Sequence, residues 1–277
     1  MKSFVEIFGC GPTLFDTHLK DMALELFDIS SEEFYSLHWV RNNDKKTSTR
    51  KWISPSANAL NKDWIKNRDM NALYSHPDYK WDSLNGSLFD TSATVAKLIN
   101  WADRNEVSPK TILDYGAGPG ITSIILAASF PEATVSYYEI NKDSIRMNEW
   151  LRERFNIHNI ETIYKIDKRY EMVCMFEVIE HISKNPFEEV KRVLNYSNKE
   201  DLFVYSTLWS AEANGWMSLG HFKYYLFDKW YHITDNPGRG VEIMLSRLGW
   251  KKIARLFNNR PHVFRLVDDP MFTKELF

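Results

Sequence analysis

The spacing of apolar residues changes character near residue 91. Before it, Asp16 to Phe27 and Ser31 to Val40 read as short helices, the second with Ser30 or Ser31 as N-cap and Glu33 close behind. Residues 1–90 are therefore expected to form a mainly helical, irregular extension. From Ser92 to Asn105, Val95, Leu98, Ile99 and Ala102 fall at helical spacing, ahead of Pro109 and the apolar strand candidate Thr111 to Leu113. Strand patterns at 134–139, 160–166, 171–176 and 201–207 then alternate with helical patterns at 119–129, 142–155 and 184–195. Such alternation implies an α/β fold with a mostly parallel sheet, because parallel strands need long crossovers and the crossover helices cover both faces. The end breaks the pattern: Lys251 to Phe257, the turn Asn258 to Pro261, and His262 to Val267 read as a hairpin, so the last strand is expected to run antiparallel. Two parts follow, an extension at 1–90 and a main domain at 91–277.

A chain of 277 residues can bury a substantial core, and no repeat, low-complexity tract or Gly/Ser linker interrupts it. Its apolar and charged fractions, 44% and 26%, are those of a globular protein, and no apolar run is long enough to span a bilayer. Met1 to Cys10 lacks the basic start and apolar stretch of a signal peptide. Cys174 sits in the apolar run Met172 to Phe176, where a thiol packs as a small apolar group. A soluble protein of the reducing cytoplasm, with no membrane partner, is expected. The formal charge of −2 argues against a whole-molecule grip on nucleic acid. One local basic stretch stands out at 41–68, with Lys45, Lys46, Arg50 and Lys51 among its cations and Trp52 and Trp64 interleaved. It reads either as a surface for single-stranded nucleic acid or as a solvated face over two core tryptophans.

The densest chemistry lies at Asp114-Tyr115-Gly116-Ala117-Gly118-Pro119-Gly120, after an apolar strand and before the apolar helix Ile121 to Ser129. Glycines let the backbone turn sharply and approach a ligand, while Asp114 can meet a cationic ligand or orient the loop. Glu139 ends the next strand, 19 residues after Gly120, where an acid can take the hydroxyls of a ribose. A dinucleotide is a poor fit, because an acid at the strand end would repel a pyrophosphate. A positively charged sulfonium suits it better.

Ile112 to Gly120, Glu139, and Tyr170 to Ile182 resemble the successive motifs of class I S-adenosylmethionine (SAM)-dependent methyltransferases, over roughly residues 91–268. The resemblance implies a Rossmann-like, seven-stranded, mostly parallel sheet with a reversed final strand, which agrees with the hairpin read independently. It also implies SAM contacts from Asp114, Tyr115, Gly116, Ala117, Gly118, Gly120 and Glu139, with Ile140 against the adenine and Glu177 lining the same pocket. The linker at Ile166 to Tyr170 is short for the family, which leaves Asp167 as the candidate for the acid that reaches the adenine amino group.

Glu177, Glu180 and His181 follow the fourth strand at the carboxyl edge, where open parallel sheets hold ligands. If residues 177–181 begin a helical turn, the three converge on one side. A similar Glu-x-x-Glu-His is a metal site in ubiquinone-pathway O-methyltransferases and small-RNA 2′-O-methyltransferases. That resemblance implies a divalent cation such as Mg2+ acting on an acceptor hydroxyl. The alternatives are Glu177 lining the SAM pocket, Glu180 on a solvated face, and His181 bonded within the sheet edge. His221, in Gly220-His221-Phe222-Lys223-Tyr224-Tyr225, resembles a segment of small-molecule members and is the candidate catalytic base; it reads equally as a structural histidine. Trp81, Trp209, Trp216 and Trp230 could line an acceptor pocket or belong to the core. The expected function is methyl transfer from SAM to an oxygen or nitrogen of a small-molecule acceptor, with residues 1–90 helping to cover it. RNA or DNA is the second acceptor class, motivated by the basic stretch. A non-catalytic binding module is the third reading, against which the intact Asp114, glycines and Glu139 count. The oligomeric state is left open.

Overall fold

The computed structural model describes residues 4–10, 16–30, 83–84, 87, 91–179, 182, 186–206, 237–256 and 261–267. Over these residues, helices α1 (Phe4–Phe8), α2 (Asp16–Phe27) and α3 (Ser92–Arg104) precede strand β1 (Thr111–Tyr115). There follow α4 (Ile121–Ser129), β2 (Thr134–Tyr138), α5 (Lys142–Arg154), β3 (Ile160–Ile163), β4 (Met172–Phe176) and α6 (Pro186–Leu194). The chain closes with β5 (Leu202–Ser206), α7 (Pro237–Arg247), β6 (Trp250–Arg255) and β7 (His262–Leu266).

The seven strands form one sheet in the order β3-β2-β1-β4-β5-β7-β6. The first five are parallel; β7 runs antiparallel to both β5 and β6. Every residue of β4 and β5 is buried. That is why these strands read as unbroken apolar runs: they are central, with helices on both faces. Successive side chains divide the core in two. Met172, Cys174 and Phe176 join the cluster under α3, α4 and α5, whereas Val173 and Met175 face α6 and α7. The alternation matters at β1, where it sends Asp114 and Tyr115 to opposite faces.

The expected hairpin at the C-terminal end is present, and it slips β7 between β5 and β6. Several boundaries move. The second strand stops at Tyr138 because Glu139 turns its carboxylate back onto neighbouring backbone, and β3 stops at Ile163, the partner of Tyr138. Helix α4 begins at Ile121 because Gly120, at φ +82°, cannot be helical. Helix α7 carries two glycines in its first turn, Gly238 and Gly240, which mask its pattern in the sequence.

The N-terminal helices share the core of the sheet. Phe8, Met22 and Ala23 are buried in the cluster under α4 and α5. The Trp150 indole N–H donates to Glu25 at 2.7 Å, Arg146 donates to the Leu26 carbonyl at 2.6 Å, and Arg154 pairs with Asp21 at 3.2 Å. No helix among the described residues is long and apolar enough to cross a membrane. The expected helix at 31–40 and most of the turn at 258–261 lie outside the described residues.

Candidate cofactor site at the glycine turn

The turn between β1 and α4 stands where strand order reverses, β2 lying on one side of β1 and β4 on the other. Open α/β sheets form a crevice at such a point. The turn is sewn to the end of β2. Gly116 N–H donates to the Tyr138 carbonyl at 2.9 Å, Gly118 N–H donates to Glu139 Oε2 at 2.8 Å, and the Tyr137 hydroxyl donates to the Gly118 carbonyl at 2.5 Å. Gly116 and Gly118 hold φ values of +65° and +53°. A side chain on Gly116 would begin 2.8 Å from the Val178 methyls, so both conformation and space require glycine there.

Asp114 lies beneath the turn, 1% exposed, and its Oδ2 accepts from the Thr122 and Ser123 hydroxyls at 2.6 Å each. Burial pushes its pKa up to about 6, against the pull of the two hydroxyls. Of the two roles open to this acid in the sequence, these contacts are those of a loop organiser: it ties the strand end to the first turn of α4. Tyr115 points to the other face. Its hydroxyl donates to Glu189 on α6 and its ring stacks on Tyr138 at 4.8 Å, so its side chain does not face the turn.

Glu139 is the hub. Besides Gly118 N–H, its carboxylate accepts the N–H groups of Ile140 at 2.7 Å and Asn141 at 2.8 Å, both on Oε1. Burial raises its pKa, and the three N–H donors partly offset that. A carboxylate offers about four acceptor positions, so Oε2 retains capacity for one further donor. Ile140 alongside is 67% exposed, an apolar side chain left in water at the mouth of the crevice. Asp167 is exposed and paired with Lys165 at 2.5 Å.

Glu177 ends β4 with φ +54°, and its N–H donates to the Ser206 carbonyl at 3.0 Å. A residue in the left-handed region is not itself part of a right-handed helical turn. Among the described residues no three His, Cys, Asp or Glu side chains come together to hold a metal. Glu180, His181, His221, the basic stretch 41–68, and Trp81, Trp209, Trp216 and Trp230 lie outside the described residues.

Sequence reasoning missed Thr122, Ser123, Tyr137 and Asn141. Asn141 had a readable signal, a polar residue between strand and helix; it caps α5 by accepting Ser144 N–H at 2.9 Å. The others had none, because nothing in a buried alternating strand or an apolar helix marks which hydroxyl will meet the turn.

A model of the methyltransferase-domain family matches residues 90–255. The chain belongs to that family. The methyltransferase is of the SAM-dependent, Rossmann-like class. No curated protein matches it. Among solved structures it is similar to LaPhzM, at 13% identity over 76% of this chain and 69% of that one, with a TM-score of 0.52. It is also similar to a putative SAM-dependent methyltransferase from Methanococcus maripaludis, at 13% identity over 72% and 95% of the two chains, with a TM-score of 0.50. The plantazolicin methyltransferase BpumL in complex with SAH is a third, at 16% identity over 69% and 78%, with a TM-score of 0.45. At these identities the first two likenesses are likenesses of fold.

Proposed function

We propose that this methyltransferase moves a methyl group from SAM to an oxygen or nitrogen atom of a small-molecule acceptor, using the crevice above Gly116 to Gly120. The observation that carries the reading is Glu139: a buried acid locked onto the glycine turn by Gly118 N–H, with acceptor capacity left on Oε2 and exposed Ile140 beside it. An acid next to an exposed apolar side chain suits a ribose hydroxyl and an adenine face. The small-molecule assignment is supported by the formal charge of −2 and by the segment around His221.

When bound, SAM supplies a methyl group on a positively charged sulfonium. Gly116 and Gly118 supply the positive-φ backbone that shapes the turn, and Asp114 keeps the turn in place through Thr122 and Ser123. Glu139 Oε2 would accept one ribose hydroxyl and Ile140 would pack on the adenine. Glu177, at the carboxyl end of β4, stands at the acceptor side of the crevice, and its strained backbone is what a fixed functional residue would carry. His221 is assigned to take the acceptor's proton. An in-line displacement draws most of its rate from positioning, so removal of His221 should slow turnover without abolishing it. No step is routed through Mg2+, because Glu180 and His181 lie outside the described residues.

The test is calorimetric titration with SAM and SAH, with and without magnesium, followed by transfer of labelled methyl from SAM into fractionated cell extract. Label in the small-molecule fraction supports the reading. Label confined to RNA or DNA overturns the acceptor class, and tight SAM binding with no transfer anywhere makes the chain a binding module.

A further inference from the structure

Ser83 and Ser87 precede α3, outside the 90–255 span of the family match. Both meet the glycine turn: a Cβ built on Gly118 would lie 2.8 Å from Ser83 Oγ and 3.5 Å from Ser87 Oγ. Leu84 and Ser87 are held in place. Leu84 is 2% exposed within the main core, and the Thr91 hydroxyl donates to the Ser87 carbonyl at 3.0 Å.

Neither serine hydroxyl has a hydrogen-bond partner among the described residues, although Ser87 is only 8% exposed. A hydroxyl that has no protein partner beside the turn can donate to a bound ligand. The backbone of the same glycine is already committed, its N–H to Glu139 and its carbonyl to the Tyr137 hydroxyl. The uncommitted donors on this side of the turn are therefore the two serines.

We propose that Ser83 and Ser87 are ligands for the amino-acid end of SAM, donating their O–H groups to its carboxylate. The assignment rests on the SAM reading above. Glu139 and Ile140 mark the nucleoside end of the site, at the close of β2, so what reaches the opposite wall of the turn is the methionyl end. Of its two charged groups the carboxylate is the one that accepts. Ser83 and Ser87 thus form part of the cofactor site, ahead of α3.

The probes are SAH and 5′-methylthioadenosine, which shares the adenosine and thioether but lacks the amino acid. Both are titrated calorimetrically into the full chain, as wild type and as Ser83→Ala, Ser87→Ala and the double variant. A Ser87→Cys variant keeps the volume while exchanging the O–H for a weak donor. The Kd for SAH should rise roughly tenfold per hydroxyl lost, including in Ser87→Cys, while the Kd for methylthioadenosine stays unchanged. Equal losses for both ligands, or no loss for SAH, would overturn the carboxylate assignment. If the wild-type chain binds neither ligand, the SAM reading itself falls and takes the assignment with it.

Discussion

Asn148 Nδ2 lies 1.9 Å from the point at which a side chain on Gly120 would begin. Asn148 is fully buried on α5, and neither polar atom of its amide has a hydrogen-bond partner among the described residues. The glycine turn is therefore held from below by a helix that follows β2, as well as by β2 itself. Gly120 is doubly constrained, by φ +82° and by the amide packed against it.

Gly120→Ala should destabilise the fold by about 3 kcal/mol, the sum of overpacking and a left-handed non-glycine residue. Asn148→Ala in the same chain should recover the overpacking part and leave about 1 kcal/mol of backbone strain. Urea unfolding of the two single variants and the double variant gives the coupling. Strict additivity would show that Asn148 does not limit the turn.

Glu139→Gln should weaken SAH binding tenfold or more, because an amide offers one acceptor oxygen to three backbone N–H donors and sets its own N–H2 against one of them. Calorimetric titration measures it. An unchanged Kd would remove Glu139 from the site.

Asp114 has a folded pKa of about 6 against 3.8 for the exposed group. Between those values the folded chain keeps a proton that the unfolded chain has lost. This residue's contribution to stability therefore falls as pH rises from about 4 to about 6, by about 3 kcal/mol. Asp114→Asn has no such titration. Subtracting its unfolding free energy from that of wild type should give a difference that declines over that window and is flat above it. A difference that is level from pH 4 to 7 would contradict the burial cost.

Arg169 holds Asp201 with both Nε and Nη2, the shorter contact at 2.5 Å, and Asp201 also accepts Asn198 N–H at 2.6 Å. Asp201 is 2% exposed at the start of β5, so Asp201→Ala should cost about 2 kcal/mol, discounted for the exposed half of Arg169. Thermal melting should show the loss while SAH affinity is retained. A matching loss of affinity would mean that β5 is coupled to the turn.

The glycine turn and the acid at the end of β2 are legible in the chain because their requirements are local. A glycine at positive φ, an acid that ends a strand and an apolar residue after it are properties of a few consecutive residues. The same holds for the sheet: continuous apolar runs at Met172 to Phe176 and Leu202 to Tyr205 mark central parallel strands without knowledge of their neighbours. What sequence could not show was direction. Asp114 and Tyr115 are adjacent in the chain, and pleating turns the side chain of Asp114 toward α4 and that of Tyr115 toward α6. Spacing alone leaves open whether a helical turn begins at Glu177; its backbone holds a positive φ while its N–H donates to the Ser206 carbonyl on the neighbouring strand.

The sequence by itself determined the alternation of strand and helix, the reversed hairpin at the end, and the glycines and acid that define a cofactor turn. These follow from periods of two and 3.6 residues and from the conformational freedom of glycine, all of which act over short stretches of chain. Only the tertiary structure decided that Asn148 fills the space below Gly120, that Tyr137 and Glu139 consume the backbone groups of Gly118, and that Ser83 and Ser87 come to rest beside them. Those meetings depend on how helices and strands far apart in the chain pack against one another, and nothing in the local pattern specifies which side chains close packing will bring together.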